Sequence, residues 1–140
     1  MSVATLNADR LGVDLGIPVD PAAAIRPTGT GDVPRISGTD NLLASVARML
    51  VTRPGELVYR PTYGVGVLDY VGRANRPSER QRLQAAIRVG LLADPRLADA
   101  SVTVSVGLPS DPSDVSALTV AVVLTLRDGS TLSASYPVTR

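Results

Sequence analysis

Cysteine, histidine, phenylalanine, tryptophan and lysine are all missing from the 140 residues. Without cysteine there is no disulfide scaffold, no thiolate metal site and no cysteine nucleophile. Without histidine the chain lacks the commonest metal ligand and the commonest general base near neutral pH. A core without Phe or Trp has to be built from Leu, Val, Ile and Ala, for which one domain of this length suffices. Glutamate is scarce, with only Glu56 and Glu79. No apolar run approaches about 18 residues, and no basic region followed by an apolar stretch opens the chain, so neither a membrane span nor a signal peptide is expected.

A net charge of +1 makes the whole chain a poor binder of polyanions, and no nucleic-acid partner is expected. The distribution is less even. Residues 48–96 hold nine Arg against two Asp and two Glu, while the flanking stretches are net negative. The all-Arg basic set fits codon usage in a GC-rich genome. It also fits an Arg-rich contact face, because Arg is enriched and Lys depleted at protein interfaces.

Residues 1–37 read as an N-terminal arm, irregular and partly extended. Pro18, Pro21, Pro27 and Pro34, with Gly12, Gly16, Gly29 and Gly31, forbid a long helix there. Leu11–Pro18 is expected to be a short extended segment, Thr28–Pro34 a flexible loop, and residues 1–9 a tail. Residues 38–140 read as the folded domain. Its first helix places Leu42, Leu43, Val46, Ala47 and Leu50 on one face, with Thr39 or Asp40 as N-cap. Pro54 and Gly55 stop that helix near Thr52. A short extended piece, Glu56–Arg60, then leads to Pro61 and Tyr63-Gly64. Val65–Gly72 reads as a short turn carrying Leu68 and Val71 inward.

Ser78 with Gln81 forms a capping-box pattern for a second helix, whose apolar face is Leu83, Ala86, Ile87 and Leu91, and Pro95 ends it. From Ala100 the period becomes two. Val102, Val104 and Val106 alternate with Thr103 and Ser105. Leu118–Leu126 reads as a central strand, Asp128-Gly129 as a hairpin turn, and Thr131–Tyr136 as a last strand ended by Pro137. The predicted fold is α+β, with two main helices packed on one face of a three-stranded antiparallel sheet.

The stretch Asn41–Gly64 resembles phage baseplate wedge proteins related to T-even gene product 25 and phage P2 protein W. Their helix ends in a Leu-x-Thr-x-x-Gly-Glu turn followed by Pro-x-Tyr/Phe-Gly, matched here by Leu50, Thr52, Gly55, Glu56, Pro61, Tyr63 and Gly64. A Glu-Pro-Arg signature after the second helix is matched by Asp94, Pro95 and Arg96, with Asp one methylene shorter. The resemblance implies a structural baseplate wedge component of a contractile phage tail or related injection system. Its partners would be other wedge proteins and the first ring of sheath subunits, with six copies per particle. It implies assembly in the bacterial cytoplasm, and no cofactor, metal, catalytic residue or membrane partner. By the same resemblance, the Asp94-Pro95-Arg96 turn would contact the wedge core. The last strand (Thr131, Leu132, Ser133, Ala134, Ser135, Tyr136) would accept strands from sheath arms.

Read on composition alone, Asp94-Pro95-Arg96 is a helix terminus stopped by proline, with a local turn and a solvated Arg96. Tyr59 and Tyr63 read as packing against the helices. Glycosidase chemistry needs two carboxyl groups flanking a sugar, one kept protonated by burial. Glu56 sits between Arg53 and Arg60, which favours the ionised form, with Asp69 a conceivable second carboxylate. Glu79 lies in a first helical turn, where an acid complements the helix dipole. Gly64-x-Gly66 lacks the strand and Lys of a phosphate loop, and Asp111, Asp114 and Asp128 lack calcium-loop spacing. A lysozyme-like cell-wall hydrolase and a free-standing protein-interaction domain are the alternative functions.

Overall fold

The structure, a computed structural model, describes residues 11–17 and 24–139. The expectations for residues 1–9 and for Pro18 and Pro21 lie outside the described residues. The chain divides into two compact units between Arg48 and Met49.

In the first unit, β1 (Val13–Leu15) pairs antiparallel with β2 (Arg35–Ser37), with Asp14 opposite Ile36. β1 falls within the expected extended segment, whereas β2, three residues long, carried no periodic signal. Val13, Leu15 and Ile17 remain exposed. Two contacts tie β1 to the helix that follows. The Asn41 Nδ2 donates to the Leu11 carbonyl at 2.8 Å, and Arg48 Nη2 reaches Asp14 Oδ2 at 2.9 Å. Helix α1 (Gly38–Val51) starts ahead of the expected caps, so Thr39 and Asp40 lie inside its first turn. Its stop at Val51 agrees with the proline argument. The buried apolar side chains are Leu42, Val46, Met49 and Leu50, while Leu43 and Ala47 are only half-buried.

The second unit holds the remaining elements. Residues 53–63 form consecutive turns instead of the extended piece expected over Glu56–Arg60. Local bonds from Glu56 N–H to Arg53, Arg60 N–H to Leu57 and Tyr63 N–H to Arg60 close them, each at 3.0 Å. A 3-10 turn, Val67–Tyr70, buries Val67 and leaves Leu68 36 % exposed, which reverses the expected inward residue. Helix α2 (Pro77–Leu92) has Arg76 as N-cap and Pro77 in its first turn, with no side-chain cap. Ser78 is therefore not the cap. Proline's fixed φ and missing N–H suit the first helical turn, and that displaces the capping-box reading. Leu83, Ile87 and Leu91 are buried as expected. At Gly90 an added Cβ would lie 2.6 Å from Met49 Sδ, which accounts for a glycine inside the helix.

The sheet is an antiparallel meander, β3 (Leu97–Val106), β4 (Ala117–Leu126) and β5 (Thr131–Thr139), with β4 central. The fold class is α+β. Val104 lies opposite Val120 and Val120 opposite Tyr136, and all five inward residues of β4 from Leu118 to Leu126 are buried. The outer face carries Asp99, Ser101, Thr103 and Ser105, then Thr119, Ala121, Val123 and Thr125, then Thr131, Ser133, Ser135 and Pro137. Of these, Asp99 alone is charged, at the start of β3 on the far side of the sheet from β5.

β5 does not end at Pro137, which pairs in register with Thr119. The hairpin phase explains this. Leu126 N–H donates to the Ser130 carbonyl at 2.8 Å, and Gly129, at φ 85°, donates to the Leu126 carbonyl at 3.0 Å. Antiparallel alternation then makes Leu132, Ala134, Tyr136 and Val138 the residues that exchange backbone bonds with β4. Thr131, Ser133, Ser135 and Pro137 turn their backbone outward, where a missing N–H disturbs no ladder bond.

Candidate interaction site

The motif turn is built against the end of helix α1. The last carbonyls of a helix lack internal partners. Here Val65 N–H donates to the Met49 carbonyl at 3.0 Å and Gly66 N–H to the Thr52 carbonyl at 2.9 Å. Gly55, at φ 86°, donates to the Pro61 carbonyl at 2.7 Å, closing the base of the loop. Glu56 Oε2 accepts the Arg53 N–H at 2.9 Å, so this carboxylate holds a turn. The Arg53 guanidinium in turn grips Asp69 at 2.8 and 3.1 Å. At the tip, Val58 is 85 % and Tyr59 98 % exposed, with Leu57 partly exposed beside them. The expected packing of Tyr59 is thus overturned, while Tyr63 is half-buried beneath Arg60, whose Cζ lies 4.8 Å from the ring centroid.

The Asp94-Pro95-Arg96 junction is a closed knot. The Asp94 carboxylate accepts the Arg96 backbone N–H at 3.0 Å, its Nε at 2.9 Å and its Nη2 at 2.5 Å. Both side chains are about three-quarters covered, with exposures of 22 % and 24 %. Burial alone would push the Asp94 carboxyl up. The Arg96 hydrogen bonds and charge outweigh it and hold the carboxyl below the ordinary aspartate value. The bond to Asp94 likewise raises Arg96, and Tyr63 lies close enough to contribute. Arg127 completes the knot, its Nε donating to the Pro95 carbonyl. The motif turn and the junction, about 30 residues apart in sequence, thus lie within electrostatic range of each other at Tyr63 and Arg96. Arg96 is an internal clamp first, not the solvated side chain that composition suggested.

The two edges of the sheet differ. Outward-facing backbone of β3 is taken by helix α2, Val104 N–H donating to Gln84 Oε1 at 3.1 Å and Arg88 Nε donating to the Ala100 carbonyl at 3.0 Å. Arg88 also reaches Asp99 at 3.1 Å. Among the described residues no strand pairs with the outer edge of β5.

Residues 36–130, more than half of the chain, match the family of baseplate wedge protein gp25. The chain belongs to that family. The matched span runs from β2 through the motif turn, α2 and the Asp94–Arg96 junction to the β4–β5 hairpin. Two solved structures share the fold. One is a proposed tail lysozyme from Geobacter sulfurreducens, with a TM-score of 0.57 and 23 % identity over 74 % of this chain and 93 % of that one. The other belongs to the baseplate complex of the type VI secretion system, with a TM-score of 0.55 and 19 % identity over 73 % and 94 % of the two chains. No curated protein matches in sequence.

In this gp25-family baseplate wedge protein, the Arg-rich middle of the sequence is largely turned to internal use. Arg53, Arg80, Arg82, Arg88 and Arg96 each bind a carboxylate or carbonyl of the second unit. Asp111, Asp114 and Asp128 each accept a hydroxyl and an N–H from the serine two residues on, which makes them turn residues. No group of three or more metal-ligating side chains occurs among the described residues, and no described helix is long and apolar enough to cross a membrane. Sequence reasoning missed Asn41, Gln84 and Arg127. Of these, Gln84 alone carried a readable signal, lying four residues before Arg88 on one helix.

Proposed function

We propose that this chain is a structural wedge component that joins the core of a contractile baseplate to its first sheath ring, in six copies per particle. Residues 1–37 act as an arm and residues 38–140 as the wedge domain. The particle is a phage virion or a cellular injection system, assembled in the bacterial cytoplasm. The junction side, Asp94-Pro95-Arg96 with the neighbouring turn at Gly55, Glu56, Pro61, Tyr63 and Gly64, faces the wedge core. The exposed Val58 and Tyr59 at the tip of that turn extend the same side with apolar surface.

The β5 edge serves the sheath. The observation that carries this is the asymmetry of the sheet: Gln84 and Arg88 hold outward backbone of β3, while among the described residues no strand pairs with the outward backbone of β5. Backbone pairing supplies affinity with little demand on side chains. Catalysis has no support in the site, since Glu56 holds a turn, Asp69 is gripped by Arg53, and Glu79 pairs with Arg82 at 3.5 Å. The test is capture of the tagged protein from its native host. Co-recovery of wedge and sheath proteins in a large assembly is expected. Recovery of the chain alone, with peptidoglycan turnover lost in Glu56→Gln or Glu79→Gln, would replace this reading by the hydrolase.

A further inference from the structure

We infer that the segment received by β5 is an uncharged strand of about six residues, ending opposite Tyr136, with a large apolar side chain opposite Ala134. This rests on the reading of β5 as a docking edge and adds the guest's length, register and chemistry.

Length follows from Pro137. The outward N–H groups of β5 are those of Thr131, Ser133 and Ser135. Pro137, the next outward residue, has none, so a guest ladder stops there. Natural edges are usually blunted by charge. β5 carries no charged residue over Thr131–Thr139, and Pro137 is its only blocking device.

Side-chain chemistry follows from the two faces. Guest residues opposite Ser133 and Ser135 would extend the outer face, which is uncharged over β4 and β5 and over Ser101–Ser105 of β3, so small hydroxylated or aliphatic residues fit there. Guest residues opposite Leu132, Ala134 and Tyr136 would point to the inner face. All three are half-buried, whereas their neighbours on β4, Leu124, Val122 and Val120, are buried. Ala134 is the small residue between two large ones, which leaves room for an apolar partner. Leu68, on the 3-10 turn that packs against β5, is partly exposed as well. Burial pushes the Tyr136 hydroxyl up to about 12, consistent with an already apolar surround.

The test fuses a guest to the full chain. A ten-residue Gly-Ser linker after Arg140 spans roughly 17 Å, enough to return past Pro137 to Ser135. It carries a six-residue strand alternating Val and Ser, with Val at the inward positions. Amide exchange is then read by NMR. At least about ten-fold slowing at Thr131, Ser133 and Ser135 is expected, with Thr139 unchanged. The same tail with Lys in place of Val should give no slowing, and neither should the Val tail on Ser133→Pro.

Equal protection by the Lys and Val tails, protection that continues to Thr139, or none with either tail would overturn the inference. Sheath attachment in particles is scored separately with Ser133→Pro. Lost attachment with failed fusions removes the guest chemistry and leaves the docking role, whereas intact attachment with protecting fusions removes the docking role and leaves the guest chemistry.

Discussion

Gly64 stands where any Cβ would lie 2.2 Å from the Thr52 carbonyl oxygen, and its φ is 97°. Two independent constraints thus meet at one residue. The left-handed backbone disfavours a side chain, and the space is already filled by backbone that cannot move aside. Next to it, the same Thr52 carbonyl takes the Gly66 N–H. The end of helix α1 and the start of the 3-10 turn are locked together by these contacts, which explains why a helix stop and a distant Tyr-Gly belong to one motif.

Gly64→Ala should therefore destabilise the domain by more than about 3 kcal/mol. Gly129→Ala is the control, because Gly129 has φ 85° but nothing within 4 Å of an added Cβ, and it should cost about 1–2 kcal/mol. Urea unfolding of both variants checks this. Equal losses would mean that the Thr52 contact relaxes easily.

Arg96→Ala should leave the domain folded, with a loss of about 1 kcal/mol, while reducing baseplate incorporation. Normal particle yield would remove Arg96 from the wedge-core contact. The pair also predicts a pH response. The Asp94 carboxyl is held below its usual 3.8, so its contribution is complete above that value and is lost as pH falls below it. The stability difference between the parent and Asp94→Asn should accordingly shrink on acidification below pH 3.8. A pH-independent difference would contradict the assignment.

Proline scanning of β5 should alternate. Ser133→Pro places the ring where native Pro137 already shows tolerance, so the fold should survive and sheath attachment should fail. Ala134→Pro removes a ladder bond to Val122 and should cost about 3 kcal/mol or more. Melting curves separate the two, and similar melting points would mean that the hairpin phase is misassigned.

Tyr136 should ionise late, near pH 12, because burial disfavours its charged form. Its folded-state value lies above the ordinary 10.0, so the stabilisation of the neutral hydroxyl is present below pH 10 and fades as pH rises toward 12. Absorbance titration of the tyrosines should lose a component near pH 12 in Tyr136→Phe. Persistence of that component would place the late-titrating tyrosine elsewhere.

Gln84→Ala should free the Val104 N–H and speed its exchange, at a stability cost of about 1 kcal/mol. If β3 is kept from edge pairing by this contact, the variant should also self-associate at high concentration. Unchanged exchange at Val104 would show that the side chain does not guard the edge.

Much of the fold was readable because its signals are local. Alternation of Val with Ser and Thr specified β3, the Leu and Val face of Leu118–Leu126 specified β4, the Asp128-Gly129 pair specified the hairpin, and helical spacing found Leu83, Ile87 and Leu91. Motif order in Asn41–Gly64 carried the family. Tertiary structure decided what depends on neighbours distant in sequence. Met49 is buried with Gly90 against it, a match that spacing within α1 could not reveal. Pro137 continues a strand because it lies on an edge with its nitrogen outward, and position in a sheet is not a property of one segment. Arg96 is clamped by Asp94 in a turn whose Pro95 carbonyl also takes the Arg127 guanidinium, from the far end of β4. Which edge is sealed was likewise fixed only when Gln84 and Arg88 of α2 met the outward backbone of β3, since hydrogen-bond satisfaction is settled by three-dimensional proximity and leaves no period in the sequence.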